Sequence, residues 1–476
     1  MNIRDFIDDI DCDDDILNIE YNGHLVWPII RFQVIQQVIN FNNNISDPKL
    51  GETKGIKSLL IGIVYGIIYF PLRSAKNSIL IFSNTLSLYL TENKKYKNKL
   101  FDYFIAQLPI KRIVFFEESN SDYKHKPNKE LKSKLFSKNL ITFGVEILIK
   151  LKHRFDKKEV NVAQNRITQI FEVSQKHILV NCNQLTIENL KEIENSLVKQ
   201  LLRATFLSKF YNIFFFKQSH QIVFHEDGHY GGDKALINYY AHKSNKTVIE
   251  PQHGFINRNH PAYYFGKKFC ENKIVKKYFP DYFLTYGKFW SNSAQVPNSK
   301  IEIGNPHLET ISKSLNAGST KNKCILIIGS GVNVNQTNEL LQTALKNSNG
   351  YEIKYRPHPQ EISLHLNRYS ESYKQGLQLD SDSLYTSLNS CEILIAEMST
   401  VLFEALLFCN NVFLYKSSYT NAYYDESIKY FNEIEISNFR DIFSIKSSSY
   451  NKEAIDYYWT TKWDTNFCNF LNSIKQ

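Results

Sequence analysis

Two adjacent carboxylates, Glu226 and Asp227, end a short apolar run and precede Gly228 in the segment QIVFHEDGHYGG, Gln221 to Gly232. A carboxyl group beside another, partly withdrawn from water, holds its proton more tightly, as a general base requires. Asp227, with Glu226 beside it, is therefore a candidate to remove a proton from a hydroxyl. A second candidate stands in TVIEPQHGFINRNHP, Thr247 to Pro261, where Gln252-His253-Gly254 follows an apolar run and His260-Pro261 comes next. His253 is an imidazole base by type, and either residue could do the work. His225, His229, His253 and His260 with Asp227 also permit a metal set, but no HExxH spacing supports one, and none is expected.

Three further segments suit phosphate. In CILIIGSGV, Cys324 to Val332, a strand pattern runs into Gly329-Ser330-Gly331, whose backbone N–H groups can face an anion. The full GxGxxG of dinucleotide sites is missing. In YEIKYRPHPQ, Tyr351 to Gln360, a strand pattern ends at Arg356-Pro357-His358-Pro359. The two prolines stiffen the turn, and Arg356 with His358 can hold phosphate oxygens. In LYTSLNSCEILIAEMSTVLFEALL, Leu384 to Leu407, a buried strand pattern is followed by Ser399-Thr400 and a helix pattern. Ser399 or Thr400 would cap that helix, and its dipole favours an anion. Glu404, one turn on, can take ribose hydroxyls.

These segments need elements to hold them. The predicted strands are Ile79–Phe82, Arg112–Phe116, Ile178–Asn181, Gln221–Phe224, Thr247–Glu250, Tyr282–Thr285 and Ile301–Ile303. They continue with Cys324–Ile328, Glu352–Tyr355, Cys391–Ile395 and Val412–Tyr415. Apolar strands alternating with helices imply parallel sheets covered on both faces, the doubly wound α/β class. In such sheets ligands bind beyond the carboxyl ends of the strands, and every candidate above stands there. The polar segment Ser312–Asn322 reads as a boundary. It leaves an α/β domain at 1–311 with a helical, membrane-facing N-terminal segment, a second at 323–440, and terminal helices at 441–476. Ser119–Lys158 is polar and Lys-rich and reads as an insertion or mobile loop.

At 476 residues and 43% apolar composition the chain can fill two cores. A net charge of +9 suits an anionic ligand or membrane face. No basic run interleaved with aromatics points to nucleic acid. Seven scattered cysteines, none spaced CxxC, argue for a reducing compartment and against structural zinc or a disulfide framework. The acidic start MNIRDFIDDIDCDDDI is not a signal peptide. Ser58–Leu72, SLLIGIVYGIIYFPL, is uncharged and flanked by Lys54, Lys57, Arg73 and Lys76. It is shorter than a bilayer span of ~20 residues, and a spanning, a monotopic and a buried core helix all remain open.

The strand–His-Pro and strand–Ser-Thr–helix series resembles the donor domain of GT-B glycosyltransferases, two Rossmann-like domains facing a central cleft. It is most similar to bacterial sialyltransferases and Kdo transferases, which use CMP-sugars, and to the CDP-glycerol transferases of teichoic acid synthesis. Glu226-Asp227-Gly228 resembles the acidic motif of the sialyltransferases, which implies Asp227 as base. Gln252-His253-Gly254 resembles the His-Gly loop of the CDP-glycerol and capsule-type enzymes, which implies His253, although no tryptophan precedes it. Asn22–Arg31, NGHLVWPIIR, is similar to uncharacterised capsule-locus proteins.

The resemblance implies an inverting transferase that needs no metal or other cofactor. Its donor phosphate would lie on Gly329–Gly331, Arg356, His358, Ser399 and Thr400, with Gln252 and His260 on the acceptor side. Its partners would be a nucleotide-sugar, CMP-activated by preference, and a surface polysaccharide or lipid-linked acceptor, met at the inner face of the cytoplasmic membrane. An alditol-phosphate transferase, a sugar-nucleotide epimerase and a non-catalytic subunit of a capsule assembly complex are the alternatives.

Overall fold

The computed structural model describes residues 3–42, 79–91, 95–108, 113–118, 133–181, 187–216, 221–315, 321–331, 333–397, 399–409, 411–417, 420, 424, 429–444 and 452–474. The Ser58–Leu72 segment lies outside them. Among the described residues no helix is long and apolar enough to cross a membrane.

Two parallel sheets organise the chain. The first contains β1 (Ile79–Asn84), β2 (Ile113–Glu118), β3 (Ser133–Ser137), β4 (Ile222–His225), β5 (Thr247–Pro251), β6 (Tyr282–Thr285) and β7 (Ser299–Glu302). The second contains β8 (Asn322–Ile328), β9 (Glu352–Arg356), β10 (Gln378–Leu379), β11 (Cys391–Ala396), β12 (Asn411–Tyr415) and β13 (Asn432–Ile434). The spatial orders are β7-β6-β5-β4-β1-β2-β3 and β10-β9-β8-β11-β12-β13. Every pairing in both sheets is parallel. Counted from its own first strand, each sheet contains the order 3-2-1-4-5-6, the Rossmann winding. Chain direction therefore reverses between β1 and β4 in one sheet and between β8 and β11 in the other. Such switch points open a crevice at the strands' carboxyl ends.

The central strands are almost uninterrupted apolar runs because helices cover both faces. Leu80, Phe82, Val114 and Val223 face one core, and Ile79, Ile81, Phe115 and Phe224 face the opposite one. The helices over the first face are α1 (Ile3–Asp11), α2 (Trp27–Asn42), α3 (Asn139–Phe155), α4 (Lys157–Asn181), α5 (Ile187–Phe216) and α6 (Gly232–Lys243). The second sheet carries α7 (Val334–Lys346), α8 (Leu384–Ser390) and α9 (Val401–Ala405). After it come α10 (Lys452–Tyr458) and α11 (Trp463–Ile474). Helix α11 crosses back to the first sheet, where Trp463, Phe467 and Phe470 pack with Phe104, Phe224 and Tyr282.

Two expectations fail. Ile178–Asn181 is the last turn of α4 and not a strand. Ala163, Ile167, Ile170, Ser174 and Ile178 are the buried residues there, at the 3–4 spacing of one helix face, and that period overrides the local β-branched run. Ser119–Lys158 is not simply an insertion. Its described part contributes edge strand β3 and helix α3, whose Ile141, Val145 and Ile149 are buried. Exposed Ile147, Leu148 and Leu151 on the outer face blur their 4-residue spacing in the sequence.

Candidate functional site

The switch point of the first sheet is built around Glu226 and Asp227. Strand β4 ends at His225, and the next four residues turn sharply, with Asp227 at a φ of 55°. Glu226 is pinned across the crevice to β1. Its N–H donates to Phe82 O at 2.9 Å, its Oε2 accepts from Asn84 N at 2.7 Å, and Ser87 Oγ donates to its Oε1. A side chain at Gly228 would collide with Pro280 Cγ at 2.6 Å, so only glycine fits the turn. Beneath it, His225 Nδ1 lies 2.6 Å from Asn238 Oδ1, and Asn238 Nδ2 donates to Gly228 O and Tyr278 O at 2.9 Å each. Burial keeps His225 neutral, its value lowered to about 3. His229 is turned into the core, its Nδ1 against Glu250 Oε2. The four histidines of this region therefore do not converge on one point.

Asp227 points the other way, into the cleft. Its Oδ2 accepts from Lys234 Nζ at 2.7 Å and its Oδ1 lies 3.2 Å from His253 Nδ1. Burial pushes this carboxyl up, but His253 and Lys234 outweigh burial and hold it at about 2. Burial and then the Asp227 charge push Glu226 up instead, to about 8. The raised proton affinity expected at Asp227 thus falls on its neighbour, because Asp227 faces Lys234 and His253 while Glu226 is buried beside the Asp227 charge.

A chain of hydrogen bonds sets the tautomers. The Ala262 N–H donates to His260 Nδ1 at 3.2 Å, which leaves the His260 proton on Nε2, 3.3 Å from Tyr230 Oη. Burial keeps His260 neutral, at about 3. Tyr230 Oη in turn lies 3.4 Å from His253 Nε2. His253 Nδ1 faces Asp227 and also Tyr263 Oη at 3.3 Å, while the Tyr263 hydroxyl donates to Glu250 Oε1 at 2.7 Å. With Nδ1–H directed to Asp227, the His253 Nε2 lone pair faces the Tyr230 hydroxyl. Tyr230, Lys234, Glu250 and Tyr263 were not among the candidates. The run HYGGDK directly after the acidic pair was the only signal for the first two. Gln252, expected to touch an acceptor, is fully committed to backbone: its Nε2 donates to Gly254 O and its Oε1 accepts from Tyr286 N, both at 2.8 Å. It shapes the His253 loop.

In the second sheet, Gly329–Gly331 leaves β8 and Glu397–Thr400 leaves β11, the two sides of its switch point. Gly331 sits at φ 76°, and a Cβ there would touch His358 Cβ at 3.1 Å, so this glycine and the His358 turn are packed together. His358 is half-buried, and burial lowers its proton affinity. Ser399 Oγ accepts from Val401 N at 3.2 Å, and Ser399 N donates to Tyr424 Oη at 3.1 Å. Thr400 takes the cap position of α9, but its own side chain makes no capping bond. Glu404 Oε2 accepts from Tyr385 Oη at 2.8 Å, and burial raises its proton affinity.

Three donor-side expectations change here. Arg356 is paired with Asp380, and its Nη2 donates to Asp382 O at 3.0 Å, so the guanidinium is turned along the sheet toward β10 and its following loop. The Gly329 N–H is already bonded to Arg356 O at 2.9 Å, and so is not offered to an anion. Ser330 Oγ donates to Glu397 Oε2 at 3.0 Å, and Asn333 Nδ2 donates to Glu397 Oε1 at 2.8 Å. Glu397 thus ties the two sides of the switch point together.

The two switch points meet. A Cβ on Gly254 would lie 3.9 Å from Thr400 Oγ1. Next to it, the Phe255 ring stacks on Phe403 at 5.3 Å and meets Tyr424 edge-on at 5.1 Å. The loop carrying His253 therefore packs directly on the start of α9.

No protein-family model matches the chain, and no curated protein matches it. Among solved structures it is similar to the lipopolysaccharide outer core galactosyltransferase WaaB, with 10% identity and a TM-score of 0.42, covering 83% of this chain and 99% of that one. It is similar to a UDP-GlcNAc 2-epimerase from Methanocaldococcus jannaschii, with 11% identity and a TM-score of 0.42, over 83% and 99% of the two chains. It is also similar to UGT89C1 from Arabidopsis thaliana, with 8% identity and a TM-score of 0.43, over 85% and 100%. Likeness at this level says nothing of reaction or substrate.

Proposed function

We propose that the protein is an inverting glycosyltransferase that moves a sugar from a nucleotide donor to a glycan or lipid-linked acceptor. One observation carries the reading. An Asp–His pair at the switch point of one sheet faces, through Gly254 and Thr400, a hydroxyl-rich helix start at the switch point of the other. The donor phosphate lies against His358, Ser399 and Thr400, with the ribose near Glu404. The acceptor hydroxyl attacks the anomeric carbon from the opposite side as the bond to the phosphate oxygen breaks. His253 Nε2 takes the hydroxyl proton, and Asp227 holds the Nδ1–H of the resulting imidazolium. His358 and the Ser399 and Thr400 hydroxyls receive the leaving phosphate at the start of α9. We assign no donor contact to Arg356 or Ser330, because their side chains are already paired.

A CMP-sugar is the donor favoured by the acidic motif at Glu226-Asp227. The placement of His253 supports a second reading, transfer of an alditol phosphate from a CDP-alditol, since the His-Gly loop is the part that resembles those enzymes. The acceptor is a growing surface polysaccharide, met at the inner face of the membrane. Incubation of the purified protein with CMP-, CDP- and UDP-activated donors, followed by assay of free nucleotide, tests the proposal. Release from one class identifies the donor; absence of both release and binding for all three ends the enzyme reading.

A further inference from the structure

A cavity of about 520 Å³ lies beside the Asp227–His253 pair, between α2, α3, α5 and the start of α6. Its volume falls within the roughly 300–1,000 Å³ of small-molecule sites. Tyr230 and Lys234 are in its wall. Both also touch the pair: Lys234 Nζ donates to Asp227 and Tyr230 Oη lies 3.4 Å from His253 Nε2. A ligand in this cavity therefore lies one side chain, Tyr230 or Lys234, away from the proposed base.

Among the described residues the rest of the wall is densely charged, and its cations other than Lys199 are paired with carboxylates. Lys138 Nζ donates to Glu118 at 2.8 Å. Arg203 grips Asp233 through Nε and Nη2, the shortest contact 2.6 Å, and donates to Glu146 at 2.7 Å. Lys234 is satisfied by Asp227. Among the described residues the one further cation in the wall, Lys199, is exposed. Away from Lys199, an anionic ligand would have to displace one of these carboxylates or bring an unmatched charge into a half-buried site, which costs several kcal/mol. A hydroxyl meets no such penalty, because it can accept from a Lys or Arg N–H and donate to a carboxylate at once. Phe32 and Tyr230, with ring centroids 4.6 Å apart, add an apolar face to the same wall. Alternating donors and acceptors with an aromatic face are what the edge and the C–H face of a sugar ring require.

We infer that this cavity is the acceptor subsite and that it takes an uncharged sugar unit, presenting a hydroxyl to His253. The inference rests on the transferase reading and adds to it the place and the charge class of the acceptor. It excludes a terminal phosphate or carboxylate on the unit that accepts the transfer.

The test is saturation-transfer NMR on the full-length protein with lactose, maltose and cellobiose as neutral probes, and glucose 1-phosphate as the anionic one. At least one neutral disaccharide is expected to receive saturation, and glucose 1-phosphate to receive less. Ser196→Trp, which fills the cavity from α5, is expected to weaken neutral binding at least about tenfold, with its folded state checked by circular dichroism. Glu146→Arg changes a half-exposed side chain (52% accessible) at the rim and carries little risk to folding. It should move the preference toward glucose 1-phosphate. Binding of none of the three disaccharides, equal binding by a folded Ser196→Trp, or an unchanged preference in Glu146→Arg overturns the inference. Titration of CMP, CDP and UDP on the same samples separates the two levels. Nucleotide binding without disaccharide binding sinks the acceptor site alone, and binding of neither kind sinks the transferase reading with it.

Discussion

Asp227 Oδ1 lies 3.2 Å from His253 Nδ1, and Lys234 Nζ holds the other carboxylate oxygen at 2.7 Å. A carboxylate kept at about 2 by these two partners is too weak a base to take a hydroxyl proton at neutral pH. It is well suited to orient an imidazole. His253→Ala is therefore expected to lower kcat by about 10²–10⁴-fold. Asp227→Ala leaves the base present but unaimed and should cost about 10²-fold. Single-turnover rates with the donor found active decide between the two. A larger loss in Asp227→Ala, or a wild-type acid limb centred near pH 2, would assign proton transfer to Asp227 itself.

Glu226 gives the complementary pH prediction. Its carboxyl is fully buried, and burial, then the Asp227 charge, raises it from the ordinary 4.5 to about 8. The folded state thus holds a proton that the unfolded chain releases near pH 4.5. The associated stability is complete below that pH and is lost as pH rises through about 8. Glu226→Gln mimics the protonated acid: its Oε1 can accept from Asn84 N and its Nε2 can donate to Ser87 Oγ. Urea unfolding at pH 5 should show the variant close to wild type. At pH 9 the variant should be the more stable, by about 1–3 kcal/mol. Equal pH dependence in both proteins would show that Glu226 is ionised throughout.

The sequence carried the winding and the strand exits but not the directions of the side chains. Apolar runs such as Ile79–Phe82 and Cys324–Ile328 are legible because a strand covered on both faces has little room for polar residues. The turns at Glu226-Asp227 and His358-Pro359 are legible because they stand where such runs stop. Arg356 also stands there, yet its partner Asp380 is 24 residues away on a neighbouring strand exit. No local pattern announces that pairing. The chain from Ala262 through His260 and Tyr230 to His253 joins loops from two strand exits in the same way. Whether the acid or the imidazole serves as base was open in the sequence because it depends on Lys234, which only the first turn of α6 brings back onto Asp227.

Arg31 and Asp11 give a prediction about the platform under that loop. The pair is buried, with side-chain exposures of 2% and 0%, and joined at 2.8 Å. Arg31 Nη2 also donates to Tyr264 O at 2.7 Å and its Nη1 to Pro261 O, while the Phe265 ring lies 4.0 Å below the guanidinium. The conspicuous segment NGHLVWPIIR thus supports the His260 loop and does not contact the cleft through Arg31. Arg31→Met strands the Asp11 charge and should cost about 3–5 kcal/mol, measured by urea unfolding. Adding Asp11→Leu should restore only part of this, because Trp27 Nε1 and Gly266 N lose the acceptor they now share. Full recovery would mean that those two donors find other partners.

The donor side separates by the same logic into residues that are spent and residues that face the cleft. Arg356 is spent on Asp380, so Arg356→Ala should lower the melting temperature and leave nucleotide affinity within about twofold. His358 is packed on Gly331, whose φ of 76° strains any other residue and whose 3.1 Å approach would make a methyl group push the His358 side chain aside. Gly331→Ala therefore costs more than about 1 kcal/mol of backbone strain and displaces the imidazole. It should weaken nucleotide binding by about tenfold, as His358→Ala should directly. Calorimetric titration of CMP and UDP into the three variants checks the division. Loss of affinity in Arg356→Ala equal to that in His358→Ala would mean that the guanidinium leaves Asp380 when phosphate arrives.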